Sequence, residues 1–135
     1  MTMSRRTFAR LLGGLGLAGA SYAMAQRKGS AKGNTVDVAM PDGTNTVFTP
    51  AEVNVAVGAT VRWTNRGILV HTVTFDPKQA ITATEVVLPA GVAPFASEDL
   101  NQDDTYRHTF TAKGTYKYVC KYHEAMGMMG TVVVS

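Results

Sequence analysis

From Thr35 to the C-terminus, apolar and polar positions alternate in short runs broken by Gly, Pro, Asn and Asp. Val53, Val55 and Val57 share one parity, as do Val61 and Trp63, and Tyr116, Tyr118 and Cys120. Successive side chains of a strand point to opposite faces, so this alternation predicts strands with one face on a core. The predicted strands are 35–40, 52–57, 60–65, 69–75, 105–111, 114–120 and 130–135, with VGAT and AKGT as turn-like breaks. No long stretch carries a 3.6-residue period. The mixed segment 79–104 predicts a loop-rich crossing with a short strand near 85–88 and one helical turn. Several short strands at this spacing predict an all-β fold, a Greek-key antiparallel β-sandwich or barrel. If Tyr116 and Tyr118 point inward, Cys120 does too, at the end of its strand and at one pole of the sandwich.

The N-terminus follows a different pattern. Arg5 and Arg6 precede a short glycine-rich apolar run, 11–20, and Ala23-Met24-Ala25 then offers small residues at the positions a signal peptidase reads. That order predicts an export signal over 1–25, with an apolar core too short to span a bilayer. The paired arginines with Phe8 resemble a twin-arginine signal, which places the mature protein in the periplasm with no stable membrane insertion once the signal is cleaved. A polar tail over 26–34 and one domain over 35–135 complete the chain, and about 110 mature residues suit a single core.

Charge changes once the signal is set aside. Three of the 13 Lys and Arg are Arg5, Arg6 and Arg10, which leaves 10 against 10 Asp and Glu. Arg27, Lys28 and Lys32 sit in the tail, so the folded body is mildly acidic, and nucleic-acid binding finds no basic face. The export route also implies an oxidising setting, in which the single cysteine has no partner in its own chain.

CKYHEAMGMMG, 120–130, holds that cysteine, one of three histidines and three of seven methionines. A catalytic thiol would need an imidazole base and an orienting group; His123 is near, but an inward thiol at a strand end is poorly placed for substrate. Structural zinc wants four Cys or His ligands, reached here only by recruiting His108, and no CxxC pair exists. A c-type haem would require C-x-x-C-H, and a plain buried thiol is the bland alternative. Copper suits the residue types best, because thiolate and thioether are soft ligands and imidazole serves both Cu(I) and Cu(II). A second histidine would come from His71, after the turn at Asn65-Arg66-Gly67, whereas His108 shares a mid-strand face with Tyr106 and Phe110 and reads as a sheet residue.

Three segments carry a family likeness. FTPAEVNVAVGATVRWTN (48–65), HTVTF (71–75) and HTFTAKGTYKYVCKYHEAMGMMG (108–130) resemble the plastocyanin/pseudoazurin-type cupredoxins, the type 1 blue copper proteins. The resemblance spans about residues 35 to 135 and implies one copper ion held by His71, Cys120, His123 and Met128. Members with the longer ligand loop place the axial Met five residues after the histidine, as Met128 stands here; shorter-loop members place it three after, at Met126. Met129 is expected to pack in the core at the start of the last strand. Tyr122 stands where many members have Pro, and Thr72 where plastocyanins have Asn, so the ties between the ligand loops must be made differently.

The resemblance implies a monomeric, non-enzymatic electron carrier using outer-sphere transfer. Copper enzymes of related build join their blue site to a second metal through histidines beside the cysteine, where Val119 and Lys121 stand here. Redox proteins, cytochromes or copper enzymes, would dock weakly on a small apolar patch around His123 that includes Ile68, Val70, Ala125 and Met126. The competing expectation is a periplasmic copper-delivery protein with no electron-shuttle role.

Overall fold

The computed structural model describes residues 33–42 and 46–135; the expected export signal and residues 26–32 of the tail lie outside them. Among the described residues eight strands form: β1 Thr35–Met40, β2 Glu52–Val55, β3 Thr60–Asn65, β4 Thr74–Phe75, β5 Phe95–Ala96, β6 Thr105–Thr109, β7 Gly114–Val119 and β8 Met129–Val134. They build two sheets, β1-β3-β6 and β2-β8-β7-β4-β5, packed face to face as the predicted sandwich.

Pairing is mixed, which refines the antiparallel expectation. β1 pairs β3 and β2 pairs β8 in parallel, while the other pairs are antiparallel. Parallel neighbours need a crossover connection. Here β2, in the opposite sheet, supplies the crossover between β1 and β3, so consecutive strands alternate between the two sheets at one edge.

Alternation accounts for the core. Val38 and Met40, Val61 and Trp63, Tyr116 and Tyr118, and Val132 and Val134 are all buried. The Trp63 ring packs edge-on against Phe75 and Tyr118 at 5.9 and 5.5 Å, and its Nε1–H donates to the Tyr118 hydroxyl at 2.9 Å. That bond satisfies two polar atoms that would otherwise be stranded among apolar rings.

Two stretches depart from the expected strands. The predicted 69–75 strand shrinks to Thr74–Phe75 plus an isolated bridge between His71 and Leu100. The reason lies in Asn65, whose Nδ2 donates to the carbonyls of Leu69 and Leu100 and whose Oδ1 accepts the Gly67 N–H. The bonds to Leu69 and Gly67 close 66–70 into a loop at the pole, and the Leu100 carbonyl also accepts the His71 N–H of the bridge. Within 79–104 the helical turn appears as a 3-10 turn at Ala83–Glu85. The strand expected near 85–88 is only a bridge from Val87 to Lys117, and β5 forms farther on. No helix among the described residues is long and apolar enough to cross a membrane.

Candidate metal centre

Cys120 follows β7 directly, and parity carries its side chain inward with Tyr116 and Tyr118; all three are buried. The loop that follows is closed by main-chain bonds. The His123 N–H donates to Cys120 O at 3.1 Å, Met128 N–H to His123 O at 3.2 Å, and Cys120 N–H to Met128 O at 3.1 Å. Glu124–Met126 makes a 3-10 turn that ends at Gly127 with φ of 84°, a left-handed conformation in which glycine carries no Cβ penalty.

The fold brings three of the four predicted side chains to one point. The candidate ligand atoms of His71, Cys120 and His123 all lie within 4.8 Å of one another. Cys120 Sγ is 3.8 Å from His71 Nδ1 and 3.4 Å from His123 Nδ1. With metal–nitrogen and metal–sulfur bonds of about 2.0 and 2.3 Å, a trigonal plane separates N from S by about 3.7 Å. The spacing and the donor set, one soft sulfur and two imidazoles, therefore fit copper.

Met128 is fully buried and joined through its main chain to both Cys120 and His123. Met126 and Met129 are 64% and 41% exposed. Core packing was expected for Met129 and is not found. Gly130, Val132 and Val134 take the inward parity of β8, which turns Met129 outward. His108 lies away from the group, half-buried on β6 with its ring stacked on Phe95 at 3.7 Å.

The ties between the loops use residues other than the family's usual ones. Thr72 N–H donates to Cys120 Sγ at 3.4 Å, and Thr72 Oγ1 accepts the Lys121 N–H at 3.0 Å. Tyr122, in place of Pro, donates its hydroxyl to the Asp99 carboxylate at 2.8 Å, which tethers the loop from outside.

Two carboxylates beside the site escaped sequence reasoning. Glu124 is buried and accepts N–H bonds from Ile81 at 2.6 Å and Thr82 at 2.8 Å, pinning the ligand loop to the crossing segment. Burial works to raise its pKa, but those two N–H groups and Glu85 outweigh it and hold it low. The neighbouring Glu124 carboxylate, and then burial, push Glu85 up. Asp42, from the turn after β1, sits 3.5 Å from Nε2 of His71. Burial lowers the pKa of His71, helped by the neighbouring His123 and opposed by Asp42. A charged residue in a polar loop normally reads as solvated, and only a buried ligand opposite it reveals another role.

Comparison with known proteins bears on this geometry. Residues 34–135 match the family model of copper binding proteins of the plastocyanin/azurin family. A chloroplastic plastocyanin of Physcomitrium patens is 34% identical over 113 residues, 78% of this chain and 60% of the relative, so the match leaves a sizeable part of that protein uncovered. Among solved structures, a purple cupredoxin of Nitrosopumilus maritimus is 27% identical with a TM-score of 0.57, covering 74% of this chain and 99% of that one. The dithionite-reduced auracyanin of Roseiflexus castenholzii is 26% identical with a TM-score of 0.57, covering 78% and 99%. The chain belongs to the plastocyanin/azurin family of copper-binding proteins.

Proposed function

We propose that the protein is an extracytoplasmic electron carrier with one copper ion, which His71, Cys120, His123 and Met128 would hold. The observation that carries this reading is the convergence of a buried thiol and two δ nitrogens at spacings that suit a metal, with a buried methionine joined to Cys120 and His123 through its main chain. Bound copper would supply a one-electron Cu(II)/Cu(I) couple.

The chain's own groups do the rest. Four protein donors leave no position open for a substrate, which favours a carrier over an enzyme. Val119 and Lys121 flank Cys120, so neither neighbour offers an imidazole to a second metal. His71, Cys120 and Met128 are buried and exclude water, whereas His123 is only part-buried and is the contact through which a partner would couple. Around it Ile68, Leu69, Val70 and Met126 are exposed, an apolar rim suited to weak, brief encounters with other redox proteins acting as donor and acceptor. Arg5 and Arg6 ahead of the 11–20 apolar run support twin-arginine export to the periplasm, with the mature domain acting as a monomer.

The test is the visible spectrum of the folded domain titrated with Cu(II). An intense thiolate-to-copper band that bleaches and returns over repeated ascorbate–oxidant cycles is expected, and Cys120→Ser abolishes it. The exposed thioethers of Met126 and Met129 favour copper delivery as the second reading. A colourless protein that takes up only Cu(I) would establish that reading and overturn ours.

A further inference from the structure

His71 is fully buried, and its two ring nitrogens face different surroundings. Nδ1 faces Cys120 Sγ at 3.8 Å, while Nε2 has no hydrogen-bond partner among the described residues and lies 3.5 Å from Asp42 Oδ1. A neutral imidazole carries one proton and one lone pair. Whichever group stabilises the proton on Nε2 therefore decides that Nδ1 presents its lone pair to the metal.

Asp42 is built into that place. Its carboxylate accepts the main-chain N–H groups of Ile68 and Leu69, chiefly through Oδ2, which leaves Oδ1 toward the imidazole. Gly67 makes room: a Cβ at that position would overlap the Asp42 carboxyl group. The Arg66 N–H donates to Met40 O at 3.1 Å and ties the loop to the end of β1, two residues before Asp42. At 3.5 Å the contact with Nε2 is longer than a closed N–H···O bond, so its effect is that of a fixed negative charge on the proton-bearing edge.

We infer that Asp42 is a positioning residue of the copper site, which orients His71 with Nδ1 toward Cys120 and raises the electron density of that ligand. The inference rests on His71 being a ligand. A carboxylate behind a ligating imidazole increases its basicity, and removal of such a partner typically lowers metal affinity about 10- to 100-fold. A negative charge near the metal favours Cu(II) over Cu(I), so Asp42 holds the reduction potential down.

The test uses the copper-loaded full chain and its Asp42→Asn variant. Asparagine keeps an oxygen for the Ile68 N–H but removes the charge. A loss of about tenfold in Cu(II) affinity relative to Cu(I) is expected, equivalent to a rise of about 59 mV in midpoint for a one-electron couple. Gly67→Ala displaces the carboxylate without altering it and is expected to shift the midpoint in the same direction. Unchanged midpoints in both variants would overturn the inference. A variant that does not fold leaves the wild-type protein to decide: nitrogen-15 NMR of its Cu(I) form should show the His71 proton on Nε2, and a proton on Nδ1 refutes the role. His71→Ala separates the premise, since survival of its thiolate–copper band shows that the ligand assignment itself is wrong. Loss of that band alongside an unmoved Asp42→Asn midpoint rejects Asp42 alone.

Discussion

Thr72 offers the sharpest test of how the two ligand loops are joined. Thr72→Val keeps the side-chain shape but deletes the oxygen that accepts the Lys121 N–H at 3.0 Å and meets Thr74 Oγ1 at 3.0 Å. Thr72 and Thr74 are fully buried and Lys121 is part-buried, so the orphaned groups cannot all turn to water. A buried donor left unsatisfied costs about 1–3 kcal/mol. A domain of this size loses roughly 4–8 °C of Tm per kcal/mol, so a fall of about 8–16 °C follows for a loss of about 2 kcal/mol. Thr72→Ser is the control, because it keeps the hydroxyl and gives up one methyl, about 0.8 kcal/mol. Calorimetry of both variants decides the matter. The backbone N–H bond from residue 72 to Cys120 Sγ survives in each, so the copper band should persist. If Thr72→Val melts no lower than Thr72→Ser, the hydroxyl is not the tie and the account of the loop junction is wrong.

Other expectations concern the residues around this junction. Glu124→Gln replaces one acceptor oxygen with an amide that confronts the Ile81 or Thr82 N–H; unfolding in urea should show a loss of about 1.5–3 kcal/mol, and an unchanged midpoint would remove the proposed strap. Met128→Ala should alter the copper spectrum while Met126→Ala leaves it unchanged, since only Met128 is buried beside Cys120 and His123; the reverse result would reassign the axial ligand. His108→Gln should leave the thiolate–copper band intact. Burial lowers the pKa of His108, so the unfolded chain binds its proton first, near pH 6.5. The stability of the neutral, buried form is complete above that value and is lost as pH falls toward the folded pKa. The copper-loaded variant should therefore show a shallower acid-side decline in Tm than wild type as pH falls below about 6.5, and parallel curves would contradict the assignment.

Much of the sandwich was legible because its strands obey period two between clear turns. Thr35–Met40 and Thr60–Asn65 occur where the alternation places them, and Gly114–Val119 delivers Cys120 to the pole. The ligand loop was legible through residue types that have few alternative explanations in such company. Long-range hydrogen bonding was not. Asn65 braces the 66–70 loop, where a strand was expected from residue 69, through carbonyls 4 and 35 residues away. Glu124 finds its N–H partners 43 and 42 residues upstream, and Asp42 lies 29 positions before the histidine it faces. None of these pairings leaves a trace in local alternation, because each polar residue satisfies main-chain groups that a one-dimensional pattern cannot bring near it. The parallel edge pairs were hidden for a similar reason: alternation specifies a face and says nothing about the direction of the neighbouring strand.

The ring of main-chain bonds linking Cys120, His123 and Met128 bears on how the loop moves. Each of these residues donates to or accepts from the next, so the backbone of none can shift without disturbing the other two. Opening the loop breaks three main-chain hydrogen bonds together, and the amides of 120, 123 and 128 should exchange with deuterium at one common rate as a single local unfolding unit. The backbone that carries the sulfur and imidazole donors would then move as one nine-residue unit, and its lifetime would be set by the sub-global stability of that unit.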